Sequence, residues 1–149
     1  MINENLIFVN TDFNSQEEIF HFLAEEITDQ GGADDSEAVY KALKKRESEG
    51  TTGMMDGFAI PHAKSSSIIS PKIAIIKQEQ PLDWDSLDGK PTYYIIAMFI
   101  PDSQAGTAHL TILSQVARML MKEDFKMSFE QANTKKDLMR LIADRIEGE

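Results

Sequence analysis

The stretch Gly57-Phe58-Ala59-Ile60-Pro61-His62-Ala63-Lys64 decides how the chain is read. An apolar run meets a proline, and a histidine follows at once. Proline has no backbone N–H to give to a neighbouring strand, so it tends to end a run in a central ladder. The pattern predicts a short strand over 57–60 that breaks at Pro61, with His62 where the chain enters a loop, a common station for reactive groups. From these residues alone His62 is open to three readings: nucleophile, metal ligand or turn residue.

Working outward, a second and longer apolar run, Tyr93 to Ile100, also stops at a proline, Pro101, and is expected to be a central strand. A loop over 102–106 leads to a helix starting near Thr107, a suitable N-cap. The stripe of that helix is His109, Ile112, Leu113, Val116 and Leu120, which puts His109 in the first turn on the core-facing side. Upstream, Leu6 to Val9 reads as a short strand and Ile73 to Ile76 as a strand buried on both faces. Ser15 with Glu18 forms a capping-box signature for a helix whose apolar face is Ile19, Phe20, Phe22, Leu23 and Ile27, ended by Gly31-Gly32. A second helix starts near Asp35 or Ser36 and finishes before Gly50, and two more follow over 122–131 and 135–146. Strands interleaved with helices predict an α/β sandwich. Ligands in open α/β sheets collect outside strand ends near helix N-termini, which brings His62 and His109 to one rim.

The helix before Gly50 carries an anomaly. Its stripe of Val39, Ala42 and Leu43 continues onto Arg46, whereas Lys44 and Lys45 point elsewhere. Arginine is rarely buried without a partner. Arg46 is either a snorkelling stem with its head in water at the helix C-terminus or a guanidinium that binds an anion under the rim. His21 falls off the apolar face of its helix and reads as a solvated surface residue. Lys64 reads as a solvated loop residue, Trp84 as an anchor packed over the sheet, and Pro81 to Asp85 as a turn-rich segment.

Composition narrows the function. At 149 residues with 42% hydrophobic residues, one domain over 1–149 with a sizeable core is expected. The absence of cysteine excludes a thiolate site, and a formal charge of −10 opposes non-specific binding to nucleic acid or anionic lipid. The N-terminus lacks a signal-peptide pattern and the longest apolar run is too short to cross a bilayer, so a soluble cytoplasmic protein is expected. No His-Glu-x-x-His, no nucleophile elbow and no glycine-rich phosphate loop occurs, and neither a metal nor another cofactor is expected. The remaining parts, two histidines and an inward arginine near a helix start, suit phosphoryl transfer through a phosphohistidine. An arginine can hold two phosphoryl oxygens, backbone N–H groups can hold others, and an imidazole at a helix N-terminus tends to stay neutral.

Taken together, Arg46-Glu47, Thr52-Gly53 and Gly57-Phe58-Ala59-Ile60-Pro61-His62-Ala63 resemble the signature of enzyme IIA domains of the fructose–mannitol type. These belong to the bacterial phosphoenolpyruvate-dependent sugar phosphotransferase system. The stretch Gly106-Thr107-Ala108-His109-Leu110-Thr111-Ile112-Leu113 resembles the family's second histidine at a helix head. The resemblance implies a mixed β-sheet flanked by helices, an α/β/α sandwich. It implies that His62 takes a phosphoryl group from the histidine-containing phosphocarrier protein HPr and passes it to a cysteine of an enzyme IIB. In that scheme Arg46 is the phosphate clamp, His109 the supporting imidazole, and association with a membrane IIC permease is indirect. Asp56, six residues before His62 where the family usually has a polar or acidic residue, would orient a ring or repel a phosphate, and Met54-Met55 departs from the small residues frequent in the family. A regulatory relative of the nitrogen-system type is the nearest rival, and a histidine-based metal-binding domain a more distant one.

Overall fold

The computed structural model of the chain describes residues 1–104 and 107–146, and for residues 104 and 107–109 the backbone alone. Its strands are β1 (Ile7–Thr11), β2 (Phe58–Ala59), β3 (His62–Ser65), β4 (Lys72–Leu82) and β5 (Thr92–Pro101). They form a 5-stranded sheet in the order β1-β4-β5-β2, with β3 also paired to β5. β4 and β5 are antiparallel, whereas β1 lies parallel to β4, and both β2 and β3 lie parallel to β5. The sheet is therefore mixed, as expected.

Helices α1 (Gln16–Asp29) and α2 (Ser36–Ser48) cover one face, and α3 (Thr107–Leu120), α4 (Glu123–Gln131) and α5 (Lys135–Ile146) cover the other. The strands divide their side chains by the period of 2 that the pleat imposes. Ala74, Ile76, Ile95, Ala97 and Phe99 pack under Ile19, Leu23, Val39 and Leu43, while Ile73, Ile75, Ile96 and Met98 pack under Val116, Phe125, Phe129 and Ile142. Runs that are apolar at every position are what a sheet covered on both faces requires. Among the described residues no helix is long and apolar enough to cross a membrane.

Local signals fix the helix ends. The Ser15 side chain accepts from the Glu18 N–H and starts α1, while Glu18 reaches back to the N–H of Asn14 rather than that of Ser15. Asp35 caps α2 by accepting from the Ala38 N–H. Gly31, at φ 83, supplies the left-handed turn that ends α1.

Three sequence expectations change. The strand does not give way to a loop at His62: it pauses at Ile60-Pro61 and resumes as β3, with His62 opposite Met98 and Lys64 opposite Ile100. Pro61 lacks an N–H, but its carbonyl still accepts from Met98 N at 3.0 Å, so β5 stays engaged across the gap. Lys64 is thus a strand residue, although an exposed one. Likewise β4 runs through Pro81 to Leu82, past the expected turn, with an irregular register between Lys77 and Leu82 that accommodates the proline. Trp84 does pack as an anchor, edge-on to Phe20 at 5.7 Å.

Lys77 ties the α4 layer to the sheet. Its ammonium leaves β4 and donates to the carbonyls of Phe129, Glu130 and Ala132 at 2.6–2.8 Å, capping the C-terminal end of α4. These carbonyls stand at the negative end of the helix dipole, where the regular helical bonds run out. Lys77→Met, which keeps the stem and removes the charge, is expected to cost about 2 kcal/mol. Urea denaturation checks this as a lowered midpoint with an unchanged slope.

Candidate functional site

The site forms where the last turn of α2 meets the broken edge strand. Arg46 does continue the apolar stripe of its helix, and the protein itself engages its head. The half-buried side chain turns back to the edge strand, where Nε–H donates to His62 Nε2 at 3.0 Å and Nη1 donates to the Gly50 carbonyl at 2.6 Å. Arg46 is therefore a bound group rather than a stem reaching into water.

His62 is 5% exposed. Its Nδ1 lies 3.1 Å from the Ile60 carbonyl oxygen. A carbonyl only accepts and a guanidinium only donates, so these two partners together require the proton on Nδ1 and a lone pair on Nε2. The ring is thereby held in the neutral tautomer with its basic nitrogen toward Arg46. The break at Pro61 produces this arrangement. With Ile60 outside both strand pieces, its carbonyl turns to the imidazole two residues on instead of to a neighbouring strand.

A cleft of about 290 Å³ opens beside the pair, lined by Ala42, Lys45, Arg46, Glu49, His62 and Lys64. It holds three cationic side chains against one carboxylate, in a chain whose formal charge is −10. Lys64 reaches it because residues i and i+2 of a strand share a side. This concentrates positive potential next to Nε2 and suits an anion.

His109 lies in the first turn of α3, which follows the single turn Asp102–Gln104 after β5. Its side chain, the expected cap at Thr107, and Ala105 and Gly106 of the expected loop lie outside the described residues. His21 is exposed as expected, and its ring stacks on Tyr40 at 3.8 Å. Phe58 is fully buried against Tyr94 and Phe129, and so belongs to the core rather than to the surface around the site.

Between Arg46 and His62 runs a loop whose braces had no assigned role in the sequence. The Glu47 carboxylate accepts from the Thr52 N–H at 2.8 Å and the Thr52 hydroxyl at 2.6 Å. Gly53 presses against Asp85, where a Cβ would clash with the backbone carbonyl oxygen, so no larger residue fits. The loop closes through Asp56 and Gly57, both in the left-handed region at φ 58 and φ 85. Asp56 neither faces His62 as a ring-orienting acid nor confronts a phosphate. Its carboxylate pairs with Lys126 at 2.5 Å and Lys90 at 3.7 Å, and its N–H donates to Asp88. The hydrogen bond from Lys126 holds the Asp56 carboxyl below its ordinary range, partly opposed by desolvation.

This fold and the chain's sequence define a phosphotransfer domain: residues 1–145 match the family described as phosphoenolpyruvate-dependent sugar phosphotransferase system, EIIA 2, and the chain belongs to that family. Within the family it is 34% identical to a fructose-specific EIIA component from Haloferax volcanii, covering 89% of this chain and 86% of that protein. It is 30% identical to a nitrogen regulatory protein from Pseudomonas aeruginosa, covering 95% and 91%. It matches the fructose-specific EIIABC component of Bacillus subtilis at 29% identity but spans only 22% of that protein's length. Among solved structures, the nitrogen regulatory protein IIA-Ntr from Neisseria meningitidis superimposes with a TM-score of 0.86 at 23% identity, over 95% of each chain. The IIA mannitol domain of Escherichia coli, in its complex with phosphorylated IIB, superimposes at 0.78 and 14% identity, over 96% of this chain and 99% of that one. These two superpositions carry the fold.

The Asp56 pairing has a pH signature. A depressed carboxyl pKa contributes stability that is complete above the unfolded value, about 3.9, and is lost as pH falls through the lower folded value. Asn tolerates a positive φ, so Asp56→Asn removes the charge without straining the turn. Wild type is expected to exceed the variant in stability by a constant amount at neutral pH. That difference should close below about pH 4 in urea titrations run across the acid range.

Proposed function

We propose that this chain is a cytoplasmic phosphocarrier of a sugar phosphotransferase system, a single EIIA domain over 1–149 that takes phosphate from phospho-HPr on His62. The Nε2 lone pair attacks the phosphorus of the donor phosphohistidine, the donor's N–P bond breaks as the new one forms, and the donor ring leaves with the electron pair. A cysteine thiolate of an enzyme IIB then attacks the same phosphorus and regenerates neutral His62.

The observation that supports this reading most is the Arg46–His62 contact at 3.0 Å, with Nδ1 tied to Ile60. It leaves one nitrogen basic and places beside it the group suited to the incoming charge. In the resting pair the guanidinium covers the lone pair that must attack. Arg46 therefore shifts from the nitrogen to the phosphoryl oxygens as they arrive, still anchored at Gly50. Burial of His62 limits access of water to the N–P bond once it forms. Lys64 and Lys45 add attraction at longer range, and His109 is the supporting imidazole at the head of α3.

A sugar-transport role is favoured by the identity to the fructose-specific EIIA component of Haloferax volcanii. An IIB partner is favoured by the likeness to a IIA domain solved with phosphorylated IIB. The nearly full-length match to the nitrogen regulatory protein of Pseudomonas aeruginosa supports a second reading, in which the phosphorylation state itself is the signal.

Incubation with phospho-HPr is expected to add one acid-labile phosphate, lost in His62→Gln; label retained in that variant overturns the assignment. Arg46→Ala is expected to slow phosphorylation about a hundredfold while the melting temperature holds. A chase with a fructose-type enzyme IIB separates the two roles: label that leaves supports transport, and label that stays supports regulation.

A further inference from the structure

Arg46 and His62 sit on different elements, and a productive contact between them requires the end of α2 and the broken edge strand to keep one spacing. A continuous set of hydrogen bonds connects the two. Glu47, next to Arg46 on the last turn of α2, accepts from both the N–H and the hydroxyl of Thr52. The Thr52 carbonyl accepts from Ile60 N at 2.9 Å. The Ile60 carbonyl in turn accepts from His62 Nδ1 at 3.1 Å. We propose that Glu47 is a positioning residue that, through Thr52 and Ile60, holds the His62 ring in its Nδ1–H tautomer with Nε2 facing Arg46. This rests on His62 being the phosphoryl acceptor.

The coupling is mechanical rather than electronic. The N–H and the C=O of Thr52 belong to different peptide planes, and so do those of Ile60, so charge on Glu47 is not conducted along the chain to the imidazole. What the carboxylate does is fix where Thr52 sits relative to the end of α2. Charge-assisted bonds to both donors of one residue leave it little freedom. The remaining loop contacts hold the segment from its other side. The Thr51 hydroxyl donates to the Asp85 carbonyl, Gly53 N donates to Thr51 Oγ1, and Leu87 N donates to the Met54 carbonyl. Thr52 thus stands on a braced loop, and Glu47 ties that loop to the helix that carries Arg46.

Alternative duties for Glu47 fit the geometry less well. Its two oxygens are engaged by Thr52, and the carboxylate among the residues lining the cleft at Nε2 is that of Glu49. Glu47 therefore acts on the reaction through the loop.

The test uses the full chain, labelled with 15N-histidine, in wild type, Glu47→Gln, Thr52→Val and Thr52→Ser, with phospho-HPr as the donor. Gln keeps the shape of Glu47 but carries no charge, and its NH2 group can only donate to the Thr52 hydroxyl, so the charge-assisted hold on both Thr52 donors is lost. Unphosphorylated wild type is expected to show a protonated Nδ1 and an unprotonated Nε2 at His62. Glu47→Gln is expected to shift this balance toward Nε2–H and to lower kcat for phosphoryl acceptance about tenfold, with KM for phospho-HPr unchanged. Thr52→Val, which removes only the hydroxyl, is expected to show the same pattern at about threefold. Thr52→Ser retains both donors and is expected to match wild type. Folded Glu47→Gln and Thr52→Val with wild-type nitrogen shifts and kcat overturn the proposal, and if Glu47→Gln does not fold, Thr52→Val alone decides it. Should wild-type His62 take no phosphate, the phosphocarrier reading fails, whereas the nitrogen shifts still decide whether Glu47 positions the ring.

Discussion

The pairing of β3 with β5 beyond Pro61 is the constraint on which the site depends. Met98 N reaches the Pro61 carbonyl, and from there the ladder sets His62 opposite Met98. If the chain left the sheet at the proline, His62 would sit on a loop and its distance from α2 would be free to vary. Because the strand resumes, the imidazole inherits the rigidity of the sheet while its neighbour Ile60, in the gap, keeps a carbonyl to spend on Nδ1. The chain loses one donor at Pro61 without leaving the sheet. Functional groups placed on regular elements hold their geometry better than groups on loops, and here the histidine gains that advantage at the position where the element is interrupted.

The electrostatic setting follows from the same placement. A chain of formal charge −10 offers little general attraction to an anion, so attraction at the site must be local. Lys45 and Arg46 come from one turn of α2 and Lys64 from the strand beside it, and they converge only because helix and strand meet at this corner. A phosphoryl group on His62 would carry up to about two negative charges. It would find them balanced at the corner, while Asp56 is kept apart by its own partners, Lys126 and Lys90.

Much of this could be read from residue order. The apolar runs Ile73–Ile76 and Tyr93–Ile100 are strands covered on both faces, and Ser15 and Asp35 start helices where their side chains can take an N–H. The inward place of Arg46 followed from the 3.6-residue period, although the period did not name what its head would meet. What residue order did not reveal was tertiary. Proline at 61 and at 81 predicts an ending, yet both positions lie in or beside edges and irregular pairings where the chain stays in the sheet without the missing N–H. Phe58 could face either side by alternation alone, and Phe129, which packs against it, comes from a distant helix. Asp56 lies six residues before His62 in sequence, but a left-handed turn and two lysines far along the chain take its carboxylate elsewhere. Glu47 and Thr52 carried the family likeness without a visible reason, because the bond between them is a loop contact that no periodicity encodes.

The interruption at Pro61 has a second effect that concerns the life of the protein outside its reaction. β2 and β3 form one border of the sheet, and a border strand ordinarily presents a row of unpaired N–H and C=O groups on which another chain can build. Here the border is cut into pieces of 2 and 4 residues, the first is bonded to the neighbouring loop through Met54 N and the Thr52 carbonyl, and the second carries the exposed ammonium of Lys64. Short segments, a proline and an outward lysine are each known obstacles to edge-to-edge growth. The break that aims the histidine also makes this side of the sheet a poor template for aggregation, and a substitution that restored a continuous strand would put solubility at risk along with chemistry.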